Sequence, residues 1–169
     1  MRIIWIEQYL KDAEAMIVRG GAEMEQGIEV LMSLLYSEPG YGSLHNHLGW
    51  AHLYFTCDLA QAELHLKAAI KFQPDFQAPY LHLGTLYVRQ GRYTEAIEIL
   101  NSGLTQPQAN KAGMLELIGQ AYEMRQEYRL AIKAYRQAML SSMTTGEMNM
   151  HSEGIKRCRK KKWASMFNQ

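Results

Sequence analysis

Residues 77–110, QAPYLHLGTLYVRQGRYTEAIEILNSGLTQPQAN, decide the fold of this chain. Their apolar residues read as two helices of about equal length around a tight turn at Arg89-Gln90-Gly91-Arg92, with Leu83-Gly84, Tyr87, Ala96, Leu100 and Pro107 as anchors. The anchors recur along the chain. Leu48-Gly49, Leu83-Gly84 and Ile118-Gly119 stand 35 residues apart, and Gly27, Ala62, Ala96 and Ala131 follow at 35, 34 and 35. Seven residues after each of these come Leu34, Ala69, Gly103 and Ala138. Small residues at Gly84, Ala96 and Gly103 let antiparallel helices approach closely, and Leu83, Tyr87, Ile97 and Leu100 fill the space between them. One such hairpin cannot bury its apolar face alone, so the units must stack.

Outward from this unit the pattern stays helical. Apolar residues at 3, 6, 10, 13 and 17 define an amphipathic first helix ended by Gly20-Gly21. A second helix spans about Ala22 to Tyr36, before Glu38-Pro39-Gly40. A third is expected from Ser43, read as its N-cap, to about Phe55, and a fourth from Leu59 to Phe72, ahead of Pro74. Helices over about 76–90, 93–104, 111–125 and 126–140 follow. Past the polar stretch 141–146, a 3–4 spacing of Met148, His151, Ile155, Cys158, Lys162 and Met166 predicts a ninth over 147–166. No run alternates in the manner of a strand, so an all-α chain is expected.

The pattern resembles the tetratricopeptide repeat, W-x2-L-G-x2-Y followed by A-x3-F and P. Tyr80, Leu83-Gly84, Tyr87, Ala96 and Leu100 carry the match, as do Leu115, Ile118-Gly119, Tyr122, Ala131 and Tyr135. The repeats fall at about 8–41, 42–76, 77–110 and 112–145, and residues 146–169 form a basic C-terminal capping helix or tail. In the second repeat, either the turn at Thr56-Cys57-Asp58 carries one extra residue or Trp50 replaces the glycine. The resemblance implies a right-handed superhelix, an α–α solenoid of about four hairpins, whose first helices line a concave groove for a segment of another protein. The chain is accordingly expected to be a non-catalytic interaction scaffold.

By position, the groove draws on Asp12, Met16 and Arg19, then on Asn46, His47, Trp50 and Tyr54. His82, Thr85, Arg89, Glu116, Gln120 and Glu123 continue it. Trp50 and Tyr54 read equally as packing between repeats. The resemblance also brings a testable chemistry, the cationic clamp with which co-chaperone arrays hold a C-terminal carboxylate. Its positions here hold Asn46, Trp50, His82, Gly113 and Leu117, or in the other register Asp12, Met16, His47, Ala78 and His82. Neither set has the cations a carboxylate requires.

No catalytic or metal set stands out, and no cofactor is expected. His45 and His47, two apart on a helix, face different ways, and His45 and His52 are about 10 Å apart along the axis. Neither HExxH nor a cysteine cluster accompanies them. Cys57, with His52 and Asp58 close in sequence, reads first as a small turn residue. With two cysteines, no apolar run long enough to span a bilayer and no signal-peptide pattern at the start, the expected location is cytoplasmic.

The charge is uneven. Residues 155–169 carry six basic residues and no acid, whereas residues 1–154 carry twelve basic against seventeen acidic, a net of −5. Three readings fit the tail. It is the solvated face of a capping helix whose Ile155, Cys158, Met166 and Phe167 cover the last repeat. Alternatively Arg157, Arg159, Lys160, Lys161 and Lys162, with Trp163, contact nucleic acid or an acidic partner. In the third it folds onto the acidic body or another subunit; oligomeric state is open.

Overall fold

The computed structural model describes the backbone of residues 2–166 and the side chains of 5–166, so the side chain of Ile3 and all of Phe167 lie outside the described residues. The described residues are helical, without strands: α1 (Arg2–Arg19), α2 (Gly21–Ser37), α3 (Gly42–Ala51), a π-helical turn (His52–Thr56), α4 (Leu59–Phe72), α5 (Ala78–Arg89), α6 (Tyr93–Leu104), α7 (Lys111–Met124), α8 (Tyr128–Ser141) and α9 (Thr145–Ser165). None of these helices is long and apolar enough to cross a membrane. The chain divides into two compact units, residues 1–83 and 84–169.

In the first unit, α1 packs on α2, and α3 with its π-helical turn packs on α4. Ile6, Leu10, Ala13 and Ile17, spaced along one face of α1, are buried with Leu31, Leu44, Leu48 and Ala51. Helix α3 begins one residue earlier than expected. Tyr41 occupies the cap position without a side-chain bond, so Ser43 lies inside the helix and is not its N-cap. Asp58 caps α4 by accepting from the Gln61 amide at 3.1 Å.

The π-helical turn settles the register of the second repeat. A Cβ on Gly49 would stand 2.6 Å from Leu66 Cγ, just as one on Gly84 would stand 2.5 Å from Leu100 Cγ. Gly49 is therefore the close-approach residue, and Trp50 is its neighbour. Seventeen residues separate Gly49 from Leu66, against sixteen from Gly84 to Leu100. The surplus residue lies in the π-helical turn, a conformation that absorbs one insertion without changing the face the helix presents.

In the second unit, Gly84 of α5 meets Leu100 of α6, and Gly119 of α7 meets the ring of Tyr135 on α8. A Cβ on Gly84 would lie 2.4 Å from Leu100 Cδ2, and Leu100 is fully buried with no room to turn aside. Gly84→Ala is expected to lose about 1–3 kcal/mol, since overpacking exceeds the gain of about 1 kcal/mol from alanine's helix propensity. Urea denaturation checks this; a stabilised variant would show that the helices can part.

The hairpin turns share a left-handed residue, at Cys57 (φ 56°), Gly91 (φ 74°) and Gln126 (φ 62°). After α5 and α7 the chain closes the turn identically, with Arg92 N donating to Tyr87 O and Glu127 N to Tyr122 O, both at 2.9 Å. Glycine adopts this conformation without the Cβ clash that glutamine meets. Gln126→Gly is expected to stabilise the second unit by about 1 kcal/mol, read as a raised urea midpoint.

Helix α9 starts at a complete capping box. Thr144 Oγ1 accepts from the Glu147 amide at 3.2 Å while the Glu147 carboxylate accepts from the Thr144 amide. Its buried face, His151, Gly154, Ile155 and Cys158, packs on α8 around Ala131 and Tyr135.

Candidate functional site

Asp12, Met16 and Arg19 lie on α1, Asn46, His47 and Trp50 on α3, Tyr54 on the π-helical turn, His82, Thr85 and Arg89 on α5, and Glu116, Gln120 and Glu123 on α7. In the first unit Asp12 accepts a hydrogen bond from Gln8 at 3.0 Å, Met16 is half-buried and Arg19 pairs with Glu23 at 2.9 Å. Asn46 is buried, and its Oδ1 has no hydrogen-bond partner among the described residues. His47 donates from Nδ1 to the Ser43 carbonyl at 2.8 Å, and its Nε2 stands 3.8 Å from Glu14. Trp50 meets Phe55 edge-on, ring centroids 4.8 Å apart, and both pack against the α1–α3 core. Trp50 thus has the packing role that the sequence left beside the groove role. Tyr54 is exposed and reaches His82, with Oη 3.5 Å from Nδ1 and the rings edge to face at 5.7 Å. Burial holds His82 well below the ordinary histidine range, at about 4, helped by nearby His47.

A histidine cluster lies beside this surface. His65, from α4, stands between His45 and His52, with ring centroids at 5.3 and 5.9 Å. His45 Nε2 lies 3.1 Å from the Pro39 carbonyl and must carry a proton there. In its neutral form His45 then accepts at Nδ1, so His65 donates from Nδ1 across 3.0 Å. Burial, then the neighbouring histidines, push His65 down to about 4. Sequence spacing alone placed His45 and His52 two turns apart; a ring supplied by another helix joins them. Among the described residues, no three His, Cys, Asp or Glu side chains are grouped to hold a metal ion.

Cys57 is exposed. His52 turns its Nδ1 to Thr56 Oγ1 at 3.0 Å, and Asp58 accepts from the Gln61 amide at the start of α4.

In the second unit Thr85 is half-buried and Arg89 exposed, and Gln120 donates to Glu116 at 3.0 Å. Glu123 is the electrostatic centre. Its carboxylate is buried, with side-chain exposure of 5%, and receives Arg157 Nε and Nη2 at 2.7 and 2.8 Å, Lys161 Nζ at 2.7 Å and Tyr135 Oη at 3.1 Å. Burial by itself raises a carboxyl group, but these donors together outweigh it and hold Glu123 at about 2. Burial, reinforced by the Glu123 charge, pushes the Tyr135 hydroxyl upward and moves the Cys158 thiol to about 11. An open cleft of about 350 Å³ lies over the cluster, lined by Val88, Tyr93, Gln120, Glu123, Met124, Arg157 and Lys161.

A groove residue and two tail residues therefore meet, while Arg159, Lys160 and Lys162 stay outside the cluster. The sequence held a signal for this contact. Gly154 follows Gly119 by 35 residues, so α9 continues the spacing of the first helices. A Cβ on Gly154 would stand 3.1 Å from the Tyr135 ring.

The comparisons with known proteins agree with this architecture. Residues 58–121 match the family model of the tetratricopeptide repeat. No curated protein matches the chain by sequence. Among solved structures, a MamA protein superposes with a TM-score of 0.70 at 22% identity, covering 80% of this chain and 72% of that one. MamA from Desulfovibrio magneticus RS-1, residues 41 to the end, gives 0.68 at 17%, covering 95% and 92%. The tetratricopeptide-repeat domain of Arabidopsis OM64 gives 0.63 at 17%, covering 70% and 94%. Residues 58–121 thus carry the tetratricopeptide repeat, and the chain has the all-α fold of these solved structures.

Proposed function

We propose that the chain is a non-catalytic binding module that holds a segment of a partner protein on its first helices. Tetratricopeptide-repeat folds in general mediate contacts between proteins. The observation that carries the reading here is the aromatic and polar character of the partly exposed side chains on those helices. Tyr54 and His82 offer an aromatic pair in the first unit, and Gln120 and Glu116 an amide–carboxylate pair beside an open cleft in the second. Such a surface suits a peptide with an apolar anchor and a few hydrogen bonds, held by a scaffold that needs little ordering of its own. The repeat division 8–41, 42–76, 77–110 and 112–145 goes with this reading. A reducing compartment such as the cytoplasm fits the free thiols of Cys57 and Cys158.

The test is a peptide selected from a random display library on the folded protein. Tyr54→Ala and Gln120→Ala are expected each to weaken it by about tenfold, the loss of one good contact, with unchanged helical content. Undiminished binding to both variants would contradict the proposal.

A further inference from the structure

The cations of α9 are divided between two faces. Lys156 pairs with Glu153 at 2.7 Å, and Arg157 and Lys161 converge on Glu123. Arg159 and Lys162 turn the other way, into a cleft of about 440 Å³ between α9 and α8, where Arg129 and Arg136 face them. Among the described residues no carboxylate lines this cleft, and none of the four cations stands in an ion pair. Ile132 and Met166 give it apolar surface, and Trp163, 66% exposed, forms a wall.

We propose that this cleft is a docking site for an acidic segment of a partner protein that carries a bulky apolar side chain, and that it is separate from the first-helix surface. Charge complementarity commits the occupant. Four like charges gathered from two helices repel one another, so the fold gains nothing from them there, and a ligand that supplies carboxylates relieves the repulsion. Three of the four are arginines, whose forked donors match carboxylates in pairs. The aliphatic surface of Ile132 and Met166 singles out a peptide. It gives a phosphodiester backbone nothing to bind, whereas an apolar side chain flanked by carboxylates fills it. The indole of Trp163 adds the kind of aromatic anchor that concentrates binding energy at interfaces.

The probe is a fluorescein-labelled oligoglutamate peptide with one central phenylalanine, titrated by fluorescence anisotropy onto the full chain. Micromolar binding is expected. Replacing the glutamates by glutamine, or the phenylalanine by alanine, is expected to weaken it by about tenfold or more, as is Arg136→Gln combined with Arg159→Gln. Trp163→Ala weakens it similarly, and Lys156→Gln, on the same helix but outside the cleft, leaves it unchanged. Since these exposed arginines make no ion pair or side-chain hydrogen bond among the described residues, thermal melts of the variants should overlay the parent. Arg136→Glu with Arg159→Glu should exchange preference for the corresponding oligolysine peptide. Parallel titrations use oligothymidylate and vesicles containing phosphatidylserine. Tighter binding to either than to the peptide, lost in the same arginine variants, would overturn the assignment, as would peptide binding indifferent to those variants.

Discussion

Glu123→Ala is expected to unfasten α9 and to lower the stability of the second unit by about 2–3 kcal/mol. Removing the carboxylate leaves Arg157 and Lys161 facing each other and the buried Tyr135 hydroxyl without its carboxylate partner. The figure is held below that for a fully buried pair because the side chains of Arg157 and Lys161 are 51% and 46% exposed and water screens them. Limited trypsin digestion reads the local event directly, since α9 is dense in cleavage sites. Cleavage between Lys156 and Lys162 should be slow in the parent and fast in Glu123→Ala. Equal rates would mean that apolar packing at Ile155 and Cys158 alone holds the helix. With a carboxyl group held at about 2 against an ordinary 4.5, the contribution of Glu123 is complete above about pH 4.5 and is lost as pH falls toward 2. Mild acid therefore leaves this fastening intact.

Mild acid should instead act on the first unit. His65 and His82 are both held down at about 4, so the unfolded chain binds more protons than the folded one between about pH 6.5 and 4. Stability is full above pH 6.5, falls as pH drops through that window, and levels off below 4. At pH 5 linkage gives a loss of about 2 kcal/mol for each of these two groups. His65→Gln should remove about one proton from the pH dependence of urea unfolding over this range. Imidazole chemical shifts supply the direct reading: a His65 resonance that titrates near 6.5 in the folded protein would contradict the account. The two proton-linked effects occupy different pH windows and different units, so each can be seen without the other.

The fold was legible because its demands repeat. A helix pair that packs closely needs a small residue at the same place in each unit, and Gly49, Gly84 and Gly119 with Ala62, Ala96 and Ala131 write that need every 34 or 35 residues. What stayed hidden lacks a local signature. The surplus residue between Gly49 and Leu66 shows in a count, but only coordinates reveal that a π-helical turn absorbs it. Gln126 at positive φ occupies the place that glycine marks openly at Gly91. The histidine cluster depends on His65 arriving from another helix. The run Lys156 to Lys162 reads as one basic patch because charge counts ignore helical phase; the helix sends Arg157 and Lys161 to Glu123 and Arg159 and Lys162 to the opposite cleft. Among the groove positions, the sequence identified which side chains lie on the first helices. It could not separate Asn46 and Trp50, largely spent on packing, from Tyr54, Thr85, Arg89 and Gln120, which the surface offers outward.

The central claim is that the first helices hold the partner, and hydrogen–deuterium exchange tests it most directly. With a library-selected peptide bound, slowed exchange should fall on α3 with its π-helical turn, α5 and α7, including the amides around Tyr54 and Gln120. Slowing confined to α2, α4, α6 and α8, with α3, α5 and α7 unchanged, would contradict it.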